Sequence, residues 1–282
     1  MARRRIAEQP TSRLAVWAQR LALFSLVATL VSVVIVRSGA LDIVPALSTL
    51  AVALVIAVVA ILLALAAGVV IWREGTGGVP QAIAALLIGC LPIAYPLYLV
   101  TKAYRLPAIY DVTTDPIDPP RFEAIARLRP RDANDIRYPG LHTAELQQTA
   151  YPEIKTDDTE VSPQEAYNAA LKVITKRKWR VVDARPPQAT PQRDGLIEAI
   201  AFTPLLNFRE DVVVRVRAAP EGARIDVRSS SRYGRHDLGA NAARVLALID
   251  DIDDILAAPV PEKKQPEAKP AQAAGRGNSL KR

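Results

Sequence analysis

Apolar residues are massed in the first hundred positions, and apolar and charged residues alternate after that. Between Leu14 and Val100 only Arg20, Arg37, Asp42, Arg73 and Glu74 carry charge, and they leave three apolar runs, residues 14–36, 43–71 and 79–100. About 20 apolar residues in helical conformation cover a hydrocarbon core of about 30 Å, so each run predicts a transmembrane helix. Arg20 lies near the start of the first run, where a long side chain reaches back to the headgroups. Pro92 and Pro96 each remove a backbone donor and predict a kink in the third. Trp17 and Trp72 mark one interface, and Tyr95, Tyr98 and Tyr104 the other.

The pattern changes after Val100. Residues 101–158 are rich in proline and lack strong periodicity, which predicts an extended connector with one short helical stretch, Arg121 to Leu128. Residues 159–258 then read as a small α+β domain. Ser162 stands before Pro163 and three residues ahead of Glu165, a capping box that starts a helix over 163–176. Four strands follow: Trp179 to Ala184, Leu196 to Phe202, Asp211 to Arg217 and Arg224 to Ser230. In the last two, Val212, Val214 and Val216, then Ile225 and Val227, line one face, while arginines and Asp226 line the other. A final helix over 238–256 carries an apolar stripe from Leu238 to Leu256. The fold class is α+β: three N-terminal transmembrane helices, then an antiparallel sheet with helices packed on one face and its charged face in water. The tail, 259–282, has no core-forming pattern and is expected to be disordered.

Charge refines this picture. The net charge of +7 invites a nucleic-acid reading, but residues 102–258 hold 23 basic and 24 acidic side chains. The excess sits at the two ends, so nucleic acid is not an expected partner. Arg3, Arg4, Arg5 and Arg13 precede the first span and make residues 1–13 a basic cytoplasmic segment. Three crossings then put the C-terminal domain outside, in the periplasm if the membrane is a bacterial inner membrane. Cys90 is the single cysteine and His142 and His236 the two histidines, which gives no disulfide framework and no expectation of a metal or cofactor.

The candidate chemistry concentrates in Ser229 to Asn241, SSSRYGRHDLGAN, between the last strand and the last helix. A helix start offers unpaired N–H groups, and forked arginine donors beside it suit an anion. Arg232, Arg235, Ser230 and Asn241 form the candidate anion site. Asp237 is placed to cap the helix, as Ser162 caps the earlier one, and a capping carboxylate competes for the same donors. A hydrolase using Ser230 or Ser231 with His236 and Asp237 is the catalytic alternative; no G-x-S-x-G elbow accompanies it. In the loop TPLLNFRED, Leu205 and Phe208 are candidates for apolar contact with the membrane, a partner or the sheet's end.

Three stretches, DVTTDPIDPPRF, AFTPLLNFREDVVVRVR and RIDVRSSSRYGRHDLGAN, together resemble the family of domain of unknown function 1499, over about Asp111 to Leu256. The resemblance implies a compact domain behind a membrane anchor, with signature loops gathered around Phe208 and Arg232, and no reaction. The short cysteine-containing segment of many members is missing here. The expected function is therefore a noncatalytic periplasmic domain that binds an anionic envelope ligand or a protein partner, in contact with membrane lipid. A membrane-anchored hydrolase and a structural assembly module of the envelope are the alternatives.

Overall fold

The computed structural model describes residues 10–189 and 192–258. Arg3, Arg4, Arg5 and the tail lie outside the described residues. The chain opens with α1 (Arg13–Ser38), α2 (Ile43–Glu74) and α3 (Val79–Arg105), all three long and apolar enough to cross a membrane. Their packing is inverted relative to a water-soluble bundle. The buried seam is alanine, Ala15, Ala18 and Ala22 of α1 against Ala60, Ala64 and Ala67 of α2 and Ala82 and Ala85 of α3. Leucine, valine and tryptophan side chains point outward. Small residues that let backbones approach are how helices associate where lipid removes any hydrophobic drive between them. At Gly89 a Cβ would come within 3.0 Å of Ile61. Pro92 and Pro96 both lie inside the continuous α3.

Two strands come from the interval read as connector: β1 (Asp111–Thr113) and β2 (Asp157–Thr159). Between them lie a 3-10 turn, Ile125–Leu128, and α4 (Leu141–Ala150). The domain continues through α5 (Pro163–Lys176), β3 (Arg180–Arg185), a two-residue hairpin of β4 (Gln188–Ala189) and β5 (Gln192–Arg193), β6 (Gly195–Phe202), β7 (Arg209–Ala219), β8 (Gly222–Ser231) and α6 (Ala240–Ala257). The main sheet is antiparallel in the order β1-β8-β7-β6-β3, with β2 also paired to β8. The sheet thus has six strands where the alternation alone indicated four, because β1 and β2 are too short and too polar to show a period.

One face carries the core. Val212, Val214 and Val216, Ile225 and Val227, and Ile197, Ala199 and Ala201 meet Ala166, Ala170, Val173 and Ile174 of α5 and Val245, Leu248 and Ile252 of α6. Ser162 Oγ accepts from Glu165 N–H and the Glu165 carboxylate accepts from Ser162 N–H, so α5 begins at its capping box. The second face differs from expectation: it is covered, not solvated. Residues 114–138 cross it as a strap, and Phe122 and Ile125 pack on Ile200 and Val213. Gln147 of α4 closes the outer edge of β1, since its side-chain amide accepts from Thr113 N–H at 3.0 Å and donates to Thr113 O at 2.7 Å. Edge groups of a sheet need such partners when they are not left to water.

Candidate functional site

The strap buries charge. Arg228 of β8, 2% exposed, donates to both oxygens of Asp111 at 2.9 and 2.8 Å and to the carbonyls of Pro120 and Ile136, with the Phe122 ring 4.7 Å from its guanidinium carbon. Asp211 of β7 sits between two arginines, Arg129 of the strap at 2.6 Å and Arg232 at 2.7 Å. Arg215 and Arg217 share Asp226 and reach Asp115 and Asp118 of the strap. Glu198 of β6 is fully buried and accepts the N–H groups of Glu123, Ala124 and Ile125. A buried carboxylate on the open N–H groups of a tight turn has the same logic as a helix cap. These charges therefore fasten the strap to the sheet.

This arrangement decides the fate of the candidate anion site. Arg232 is 2% exposed and its guanidinium is committed to Asp211. Ser230 is buried and accepts from Arg129. Asn241 is buried on the helix side, accepting from Ser229 and Arg244 and donating to Tyr110 O and Ser231 Oγ. Only Arg235 faces solvent. The four residues thus lie on both faces of the sheet and do not converge on one ligand, because successive strand residues alternate in direction.

Asp237 holds the start of α6 as a carboxylate two residues ahead of the helical N-cap, Gly239: it accepts from Gly239 N–H at 3.0 Å and Asn241 N–H at 2.8 Å. Burial pushes its carboxyl up, and the two backbone donors oppose the shift. Beside it, Glu210 accepts from the Ser231 hydroxyl and lies 4.0 Å from Arg244. Burial pushes Glu210 up to about 7, with Arg244 pulling the other way.

The serine, histidine and aspartate of the catalytic alternative point apart. His236 Nδ1 accepts from Leu238 N–H at 3.0 Å. Its proton is then on Nε2, which faces the carbonyls of Ala103 and Leu106 at 3.2 Å each, the open end of α3. Ser231 donates to Glu210, not to the histidine. His236 thus completes the C-terminus of a helix 130 residues upstream, a role that no local pattern announces.

The loop between β6 and β7 reaches the same end of the bundle. Arg37, at the end of α1, donates to the carbonyls of Pro204 and Leu205, and Asn207 donates back to Arg37 O. Leu205 is 42% exposed and Phe208 half-buried. Both signature loops therefore sit on the helical bundle.

At the other end of the sheet lies a polar cleft of about 700 Å³ between the strap and the β4–β5 hairpin, lined by Arg121, Glu123, Arg185, Arg193, Asp194 and Arg215 among others. Arg185 pairs with Glu123 and Asp183, and Arg215 is tied to the strap. Arg121 and Arg193 pair with no carboxylate among the described residues.

Fold and site define a class: a strapped antiparallel α+β domain, locked by buried ion pairs and seated on three apolar helices of membrane-spanning length. The family profile of Protein of unknown function (DUF1499) matches residues 111–252, from the first residue of β1 to within α6, and the chain belongs to that family. No curated protein and no solved structure matches the chain.

Proposed function

We propose that the protein is a noncatalytic recognition module held in a bacterial inner membrane, with the DUF1499 domain on the periplasmic side. Its cleft takes an anionic envelope ligand or the acidic surface of a periplasmic protein. The observation that carries this reading is the pair Arg121 and Arg193, two guanidinium groups without carboxylate partners among the described residues, at a cleft large enough for a small ligand. Forked donors of this kind match phosphate and carboxylate. β6 runs from Gly195 at the cleft to Phe202 at the bundle, about 23 Å at strand rise, so the cleft faces away from the bilayer. The basic residues ahead of α1 support the orientation.

Two measurements test it. An alkaline-phosphatase reporter fused after Ala258 is active if the domain is periplasmic; activity only from a cytoplasm-active reporter overturns that placement. Titration of the purified protein in nanodiscs with phosphorylated and carboxylated glycans should give binding that Arg121→Ala with Arg193→Ala abolishes while leaving the melting temperature unchanged. Equal affinity in the double variant removes the cleft as the site.

A further inference from the structure

The residues that tie the domain to the bundle also fix its depth. Arg20 and Arg37 bound the uncharged part of α1 and stand 17 residues apart, about 26 Å of helix, slightly less than a hydrocarbon core of about 30 Å. Arg37 is therefore at the edge of the hydrocarbon. Its guanidinium bonds to the carbonyls of Pro204 and Leu205, which sets that loop at the same level. On the neighbouring helix, His236 bonds to the carbonyls of Ala103 and Leu106, either side of the exposed Tyr104 and Arg105. Tyrosine and arginine at the end of a span are interface residues. Tyr233 lies close enough to Asp42, at the start of α2, to feel its charge.

All three helix ends are thus in reach of the same two loops, and these loops expose apolar side chains. Phe202 is 37% and Leu205 42% exposed, with Pro204 exposed between them. In water such a cluster is a liability; at the headgroup boundary it is buried by lipid. Arg235 is exposed in the second loop, next in sequence to the His236 contact, and a cation beside the end of a span suits anionic headgroups.

We infer that the loop from Phe202 to Phe208 is a lipid-inserted foot: Phe202, Pro204 and Leu205 enter the headgroup–acyl boundary of the bilayer that α1–α3 cross. The occupant of this apolar surface is phospholipid. The foot prevents the domain from tilting about the short link between Arg105 and Asp111, and so holds its opposite end away from the membrane. It stands whichever side of the membrane the domain occupies and does not depend on the cleft binding anything.

Depth measurement on the full chain tests it. Cys90 is the single cysteine and faces outward from the bundle, so Cys90→Ala gives a background for single spin labels. Labels at Leu205→Cys and, as a water-exposed reference in the far β7–β8 turn, Glu221→Cys are compared in phosphatidylcholine–phosphatidylglycerol vesicles for collision with oxygen and with a nickel chelate. The foot requires the oxygen-to-nickel ratio at 205 to exceed that at 221 severalfold. Equal ratios overturn it. A second label at Phe202→Cys guards against a local distortion: if both 202 and 205 collide with nickel as freely as 221 does, the loop is in water and the inference fails.

Discussion

Arg228 and Asp111 meet as a bidentate pair under the strap, the arginine from the last strand and the aspartate from the first. Both side chains are buried, 2% and 0% exposed. The pair joins the first and last strands of the DUF1499 domain.

Breaking such a pair leaves one charge buried without its partner, which costs about 3–5 kcal/mol. Arg228→Met should therefore lower the melting temperature sharply in thermal unfolding monitored in detergent. Asp111→Asn added to Arg228→Met should recover part of the loss, because the stranded carboxylate is gone. A double variant as unstable as the single one would mean that the contacts of Arg228 with Pro120 O, Ile136 O and Phe122 carry the effect.

Glu198 offers a cleaner test of the strap. Glu198→Gln keeps one acceptor oxygen but turns the other position into a donor that faces Ile125 N–H. The loss expected from charged hydrogen bonds is about 1.5–3 kcal/mol. Amide exchange at Glu123, Ala124 and Ile125 should accelerate ahead of exchange in β7, since the turn loosens before the sheet does.

Glu210 makes the domain sensitive to pH in a defined direction. Its carboxyl is raised by burial to about 7, above the ordinary 4.5, so the folded protein binds the proton more tightly than the unfolded chain. Stability from this group is fully present below pH 4.5 and falls as pH rises through about 7, by up to roughly 3 kcal/mol. Glu210→Gln should flatten that slope in melting temperature between pH 5 and pH 8, and an unchanged slope would place the titration elsewhere.

Asp157 and Asp253 repeat the theme at the edge of the sheet. Burial, and then the nearby Asp253 carboxyl, push Asp157 up to about 6, and burial raises Asp253 as well. The stability that the Asp157 shift contributes is fully present below its ordinary 3.8 and is lost as pH rises through about 6, and the Asp253 shift acts in the same direction. Asp253→Asn should raise the melting temperature at pH 8 and leave it unchanged at pH 4.

Gly239 tests how the domain is seated. It has φ of +78°, and a Cβ there would stand 2.9 Å from Leu106 Cδ1, just past α3. Gly239→Ala should force Leu106 and the loop apart, and His236→Ala should leave the end of α3 uncapped. Both are expected to raise trypsin cleavage after Arg105 at least several-fold over the parent protein.

Much of the frame was legible in the sequence. The three apolar helices, the capping box at Ser162 and the α5 boundaries followed from hydropathy and local hydrogen-bond chemistry, which act over a few residues. The alternation of Val212, Val214 and Val216 gave the core face for the same reason. What was not legible depends on distance along the chain. The charged face reads as solvated when the strap that covers it has no period of its own. α4 went unread because Gln147 is its one buried side chain and its task is to imitate a strand. Arg232 and Ser230 were assigned to a ligand because Asp211 and Arg129, which engage them, lie 21 and 101 residues away. Arg235, the exposed member, is next in sequence to His236, whose contact with α3 no local pattern announces.

The pairing of β1 with β8 also sets an order of events. Asp111 to Thr113 leave the last apolar helix early, yet their partners, Arg228 to Ser230, are synthesised more than a hundred residues later. Loop closure over such a span is slow, and topologies dominated by it fold late. Until β8 arrives, β1 and β2 have no strand to pair with, the strap lacks its tie to Arg228, and the end of α3 waits for His236. The nascent chain must therefore keep a charged, proline-rich segment solvated beside the bilayer while the rest is made. The scarcity of apolar residues in that segment, which hid its strands from a periodicity reading, is what lets it wait without aggregating.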